Sequence, residues 1–311
     1  PGELTVYASE QCHFSIERSV DILGLGRNSL RKIPTDERFH IRTDALQEQI
    51  ETDRRAGRKP CCVIGIAGAT STGVIDSLEE LAAIARENNC WYHVDAAYGG
   101  TLAFSYKHRA KLRGIELADS ITFDPHKWMF VPFACGAVLV CDGGRVLRDS
   151  FDITPEYLNE DRGGTDVEFD FFRYGQMGTR RFSALKLWMA LKFMGREGYA
   201  AVIERQIQLT EYLASRIDQL PDFERVGEVE TAVCCFRFWP GNRANNLQGV
   251  EQDRLQQNLQ QRIERSGEAW ITTTILNGRR VLRVNINSFL TERRHVDDLV
   301  ELLERASKEL G

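Results

Sequence analysis

Residues 90–100 read Cys-Trp-Tyr-His-Val-Asp-Ala-Ala-Tyr-Gly-Gly. Cys90 to Val94 is a largely apolar run of strand length, and Asp95 closes it. The residues that follow are small enough for a ligand to come close. In open α/β sheets ligands bind at the carboxyl ends of the strands, and a carboxylate there can hold a cationic partner. Taken alone, Asp95 also reads as a helix N-cap or a plain strand-end turn. His93 and Asp95 share a strand face, but no third ligand accompanies them, so the pair is a poor metal site.

A second stretch repeats the pattern. Residues 120–130 read Ser-Ile-Thr-Phe-Asp-Pro-His-Lys-Trp-Met-Phe: a strand, held extended before Pro125, then Lys127 at its carboxyl end. A lysine flanked by His126 and Trp128 in an apolar turn loses its proton more readily than a surface lysine. On its own it equally reads as a lysine in a surface turn. Together the two stretches say more. A strand-end Asp followed roughly thirty residues later by a strand-end Lys is the layout pyridoxal 5′-phosphate requires. The carboxylate keeps the pyridine nitrogen protonated, and the lysine holds the aldehyde.

Outward from these stretches, strands and helices alternate. Strands are expected at Leu4–Ala8, Leu30–Ile33, Cys61–Ile66, Cys90–Val94, Ser120–Phe123 and Ala134–Val140. Helices are expected at His13–Leu23, Ala45–Arg55 and Leu78–Glu87. Such alternation predicts a mainly parallel sheet covered on both faces. From 151 to 176 neither period survives, which marks a mobile catalytic loop. Helices Ser183–Met194 and Tyr199–Gln219 follow. The texture then changes to strands at Thr231–Phe238, Trp270–Ile275 and Val281–Asn287 with helices at Gln252–Arg265 and Glu292–Lys308. The expected division is a large domain over 1–218 and a small α+β domain over 219–311.

Composition narrows the class. With 42% hydrophobic and 27% charged residues and a net charge of −5, the chain is of ordinary globular type, and neither nucleic acid nor membrane is an expected partner. No signal peptide is expected. Eight cysteines include the vicinal pairs Cys61-Cys62 and Cys234-Cys235 but no Cys-x-x-Cys; free thiols in a reducing cytoplasm are expected, and no metal. Gly68 to Gly73, Gly-Ala-Thr-Ser-Thr-Gly, lacks the Gly-Lys-Ser/Thr ending of a nucleotide loop.

These motifs, in this order, resemble the group II pyridoxal-phosphate-dependent decarboxylases, which include aromatic-L-amino-acid, glutamate, cysteine-sulfinate and diaminobutyrate decarboxylases. The resemblance runs from about Tyr7 to the C-terminus. Ser-Glu-Gln-Cys-His-Phe-Ser-Ile-Glu-Arg at 9–18 resembles the segment whose histidine stacks on the cofactor, here His13. The loop 68–73 resembles the one whose threonine, here Thr70, sits near the phenolic oxygen. His-Val-Asp-Ala-Ala-Tyr at 93–98 matches the segment with the pyridinium aspartate, Asp95, and an alanine under the ring, Ala97. Asp-Pro-His-Lys-Trp at 124–128 matches the Schiff-base segment, with Lys127 and, beside it, His126, expected to bind the cofactor and to aid Tyr157 in catalysis. Pro-Glu-Tyr-Leu at 155–158 resembles the catalytic-loop segment with its tyrosine, Tyr157. Residues 179–188 resemble the segment whose arginine, Arg180, binds a substrate carboxylate in glutamate-type members. Singly these residues have plainer readings: His13 as a helix histidine, Tyr157 as a loop aromatic, Arg180 and Arg181 as a solvated helix start.

The resemblance implies an aspartate-aminotransferase-like fold (pyridoxal-phosphate fold type I), a cytoplasmic homodimer with shared sites, and decarboxylation of an L-amino acid to its amine and CO2 in amino-acid and other carboxylic-acid metabolism. An oxygen-consuming aldehyde synthase is the enzymatic alternative, and a non-catalytic homologue or fragment the other. Tyr157 favours decarboxylation. Two departures stand out. The family's members are longer at the N-terminus, where the turn that cups the phosphate is expected. Position 124 is Asp where aromatic-amino-acid members carry Asn, so Asp124 is expected to turn from the phosphate toward backbone or His126 donors. The substrate is left open: 105–116 is closer to acidic-substrate members, 155–158 and the region of Phe182 to aromatic ones.

Overall fold

The computed structural model describes residues 3–153, 170–240 and 249–310. Six strands form the first sheet: β1 (Leu4–Ser9), β2 (Leu30–Ile33), β3 (Lys59–Ile66), β4 (Trp91–Asp95), β5 (Ser120–Phe123) and β6 (Ala137–Val140). Their order is β2-β1-β3-β4-β5-β6. The first five are parallel, and β6 runs antiparallel to β5. The end of β3, from Val63 to Ile66, is buried on both faces, which is why it reads as a continuous apolar run rather than an alternating one.

The crossovers are helical. Helix α1 (Phe14–Ile22) starts at His13, whose imidazole accepts the Ser15 N–H as an N-cap. Helix α2 (Thr43–Arg55) buries Leu46 and Ile50. Helix α3 (Leu78–Glu87) carries Glu79 and Glu80 in its first turn and Arg86 in its last, matching the helix dipole, and buries Leu78, Leu81 and Ala85 against the sheet. Helix α4 (Gly143–Phe151) follows β6.

A second, antiparallel sheet has the order β7-β8-β10-β9, from β7 (Phe223–Arg225), β8 (Val233–Phe238), β9 (Thr272–Leu276) and β10 (Arg279–Asn285). Helices α6 (Gly249–Ser266) and α7 (Arg293–Lys308) cover it. Along β10, Leu282 and Val284 enter the core with Phe236, Leu259 and Val300. Val281, on the opposite face, packs with Ile66, Ala69 and Val74 of the first sheet's region. Helix α5 (Ser183–Ile217) serves both cores. Met194, Tyr199, Ile203 and Ile207 join the cluster containing Leu81, Val94 and Trp128, while Leu213 and Ile217 join that of Phe236 and Leu282.

Several boundaries differ from expectation. The last strand of the first sheet begins at Ala137 rather than Ala134, because Cys135 spends its backbone groups on His126: its carbonyl accepts the His126 N–H (3.2 Å) and its own N–H donates to His126 Nδ1 (3.2 Å). The two expected helices after residue 182 form one element, interrupted where Gly195 adopts φ +61°. Helix α4, with its Gly-Gly start, and the three-residue β7 were not anticipated. Of the expected loop 151–176, Phe151 ends α4 and residues 171–174 form a short 3-10 turn.

Candidate active site

A cavity of about 610 Å3 runs along one face of the first sheet, past Cys61, Trp91 and Ser120, and reaches the carboxyl ends of β3, β4 and β5. His13, Gly68, Thr70, Asp95, Ala97, Asp124 and Lys127 all line it. The adjacency is topological: β4 and β5 are parallel neighbours, with Asp95 in register with Thr122, so the turns past the two strand ends bring Asp95 and Lys127 to the same cavity.

Each side chain is held by its own turn. Past β4 the Asp95 carboxylate accepts the Ala97 N–H (3.2 Å). Gly99 N–H donates to the Ala67 carbonyl (2.9 Å), so the turns after β3 and β4 lie backbone against backbone. Gly68, at φ +93°, sits so close that a Cβ there would stand 2.8 Å from the Gly99 nitrogen. Tyr98 stacks flat on Trp128 (centroids 4.7 Å apart, planes 6° apart). Trp128 is fully buried and anchors the turn that carries Lys127.

His13 pairs through Nδ1 with the Ser15 hydroxyl (2.7 Å). Burial, reinforced by the Lys127 charge, holds its pKa below the ordinary histidine value. A neutral imidazole therefore faces the cavity near neutral pH. His93, between the hydroxyls of Ser120 (2.8 Å) and Thr122 (3.1 Å), is likewise kept neutral by burial. Both of its ring nitrogens are engaged, so it is a structural strand histidine rather than a ligand.

Asp124 corrects an expectation. It does not turn to backbone or His126 donors; its Oδ2 lies 2.9 Å from Lys127 Nζ. The geometric reason is local: the backbone turns tightly, with Lys127 N–H on the Asp124 carbonyl (2.9 Å), which brings positions i and i+3 together. His126 is committed to Cys135, its Nδ1 2.7 Å from the Cys135 carbonyl, and is not among the residues that line the cavity. Arg180 is exposed and also lies away from that lining. Tyr157 falls outside the described residues.

Two further groups were missed by sequence reasoning. Asp76 is buried and accepts the N–H groups of Ile41 and Ile66 (2.9 Å each). Burial pushes its carboxyl up to about 6. It ties the end of β3 to the segment before α2. Arg283 on β10 donates from Nε to the Ser71 carbonyl (3.2 Å), bracing the turn that carries Thr70. The available signal for Asp76 was a carboxylate directly after the apolar pair Val74-Ile75; Arg283 had none.

The fold defined by the mostly parallel sheet, its reversed last strand and the separate antiparallel sheet is that of the aspartate-aminotransferase-like enzymes, pyridoxal-phosphate fold type I. The Oryza sativa protein TDC, solved with PLP and tryptamine, superposes with a TM-score of 0.93 at 30% identity, covering 99% of this chain and 63% of that one. Mouse CSAD in apo form superposes with a TM-score of 0.91 at 29% identity, covering 98% and 64%. Residues 1–239 match the family described as pyridoxal-dependent decarboxylase conserved domain, and the chain belongs to that family. An aromatic-L-amino-acid decarboxylase of Bacillus atrophaeus is 36% identical over 279 residues, 90% of this chain and 57% of the relative. A phenylacetaldehyde synthase of Arabidopsis thaliana is 31% identical over 314 residues, 99% of this chain and 62% of the relative. The chain thus spans less than two thirds of the length of these relatives.

The cavity fits pyridoxal 5′-phosphate at the ring and the aldehyde. It offers a carboxylate, an amine, an uncharged imidazole and small residues where a flat ring has to lie. It does not supply the phosphate's counter-charge: among the described residues lining it, Lys127 is the one lysine or arginine.

Proposed function

We propose that the protein containing this chain catalyses pyridoxal-phosphate-dependent decarboxylation of an L-amino acid to the corresponding amine and CO2. The observation that carries the reading is the convergence of Lys127 and Asp95 from adjacent strand ends into one cavity. When bound, the protonated pyridine ring of the cofactor supplies the electron sink that lets the bond to a carboxylate break.

The chain's own residues prepare that step. Asp95 holds the proton of the ring nitrogen. Lys127, whose Nζ lies 2.9 Å from Asp124 Oδ2, would hold the aldehyde. His13, Ala97 and Thr70, which line the cavity, would hold the cofactor, the imidazole and the small alanine against its ring and the threonine hydroxyl near its phenolic oxygen. His126 supports the Lys127 turn. Arg180 is proposed for the substrate carboxylate, which requires its segment to approach the cavity. Tyr157, outside the described residues, is proposed to deliver the proton to Cα.

We divide the chain into a large domain over 1–218 and a small one over 219–311, the break following α5. A second copy is proposed to share the site. The N-cap and first half of α5 support this, with Phe182, Trp188 and Phe193 exposed at 71%, 57% and 88%, since exposed apolar patches mark interaction surfaces. Eight free cysteines support a reducing, cytoplasmic setting. Among the described residues, no helix is long and apolar enough to cross a membrane.

The direct test is CO2 release by the full-length protein across a panel of L-amino acids, aromatic, acidic and diamino. Absence of release from every member, with cofactor bound, refutes the proposal. The similarity to a phenylacetaldehyde synthase supports a second reading, oxidative conversion to aldehyde. Measuring amine, aldehyde and peroxide side by side separates the two.

A further inference from the structure

The ladder between β4 and β5 ends at Asp95 and Thr122. Beyond it, Ala96 N–H still reaches the Thr122 carbonyl at 3.0 Å, and one long backbone bond, Asp124 N–H to the Ala97 carbonyl at 3.3 Å, joins the two turns themselves. The remaining link is made by side chains. Tyr98 follows Asp95 by three residues, Trp128 directly follows Lys127, and the two rings are stacked. Each ring is pinned from outside. Trp128 Nε1 donates to Gln206 Oε1 of α5 at 2.6 Å. Tyr98 Oη donates to Asn285 Oδ1 of β10 at 2.8 Å. Packing alone does not require that hydroxyl, since a phenylalanine would stack as well. Asn285 and Arg283 lie on one face of β10. Through them a single strand of the second sheet holds both turns: Arg283 the turn after β3, Asn285 the turn after β4.

We propose that Tyr98 is a positioning residue for the cofactor site: stacked on Trp128 and fixed at its hydroxyl by Asn285, it sets the spacing between the Asp95 carboxylate and the Lys127 amine and makes that spacing depend on where β10 sits. The inference rests on the assignment of Asp95 and Lys127 to the cofactor. It adds that part of the site's geometry is set from the second sheet, by a residue 187 positions from its partner.

The test uses the full-length protein loaded with pyridoxal 5′-phosphate, with Tyr98→Phe, Asn285→Ala and the double variant. Two readouts are independent of turnover: cofactor affinity by titration, and the pH midpoint of the bound cofactor's visible absorbance, which reports the surroundings of the Lys127 nitrogen. Each single variant is expected to lose about 2- to 10-fold in affinity, the worth of one hydrogen bond. Both are expected to move the midpoint in the same direction, and the double variant to lose no more than the worse single one. Unchanged affinity and midpoint in both singles overturns the inference. So does additive loss, and so does lowered apo-protein stability with an unmoved midpoint, which marks a merely structural contact. If Tyr98→Phe fails to fold, Asn285→Ala with Asn285→Asp as the conservative rescue decides alone. Wild-type protein that takes up no cofactor on Lys127 refutes the site assignment itself, a result distinct from variants that behave as wild type.

Discussion

Gly99 offers the sharpest test of how the site is built. A Cβ at this position would stand 2.5 Å from the Ala67 carbonyl oxygen, 2.8 Å from the Ala67 carbonyl carbon and 3.2 Å from the Gly68 nitrogen. All three are backbone atoms, so no rotamer change relieves the contact. The turns after β3 and β4 have to separate by several tenths of an ångström, and the Gly99 N–H bond to Ala67 is stretched with them. Overpacking of this kind costs about 1–3 kcal/mol, and a weakened backbone hydrogen bond adds about 0.5–1.5 kcal/mol. Gly99→Ala is therefore expected to destabilise by about 2–4 kcal/mol. Because the displaced turns carry Thr70 and Asp95, cofactor affinity should fall more than stability alone explains. Gly144→Ala is the control: a Cβ there meets nothing within 4 Å, and in the first turn of α4 the change should be neutral or stabilise by less than the about 0.5–1 kcal/mol of a mid-helix position. Urea unfolding of the apo-protein and cofactor titration of both variants make the measurement. A Gly99→Ala protein with wild-type stability and affinity would refute the close-packed turns as the foundation of the site.

Borohydride reduction of the loaded protein followed by peptide mapping should place the pyridoxyl group on Lys127; a label on another lysine removes the assignment. Asp95→Ala leaves the ring nitrogen without its carboxylate, and loss of one partner from a buried ion pair typically costs about 3–5 kcal/mol, so cofactor affinity and CO2 release should both collapse. Tyr157→Phe should lower amine formation by about 10²–10⁴-fold, the usual worth of general acid catalysis, with aldehyde and peroxide rising in its place; unchanged amine output moves the proton donor elsewhere. His40 is raised above the ordinary histidine pKa by its 2.6 Å hydrogen bond to Glu230, with Asp36 and Asp76 adding to it. Its contribution to stability is complete below the unfolded-state value of about 6.5 and is lost as pH rises through the higher folded value. His40→Gln should flatten that slope in denaturation curves taken across it.

The shared placement of Asp95 and Lys127 in the candidate site was legible because a strand end is a sequence event. Asp95 and Lys127 announce themselves where apolar runs stop at a charged residue, and the strand order then makes them neighbours. The Asp124–Lys127 pair was misjudged for a different reason. Its existence depends on how tightly residues 124–127 turn, and spacing alone does not reveal that. Tyr98 and Asn285, or Ser71 and Arg283, meet only through the stacking of one sheet on another, and nothing local marks either partner. Helix α4 was lost to its Gly-Gly start, and β7 to its brevity: three residues are too few for an alternation to show. The Gly195 break was visible as an end to one helical period and a start to the next, but not as a bend within a single element.

Helix α5 leaves one hydrophobic cluster at Ile207 and enters the other at Leu209, within a single turn. No flexible joint lies between those residues, so neither sheet can shed its covering helix without the other losing part of its own. The amide protons from Tyr199 to Ile217 should therefore exchange with solvent as one slow block, opening only when both sheets open together. Denaturation followed by a reporter in either sheet should then trace one curve.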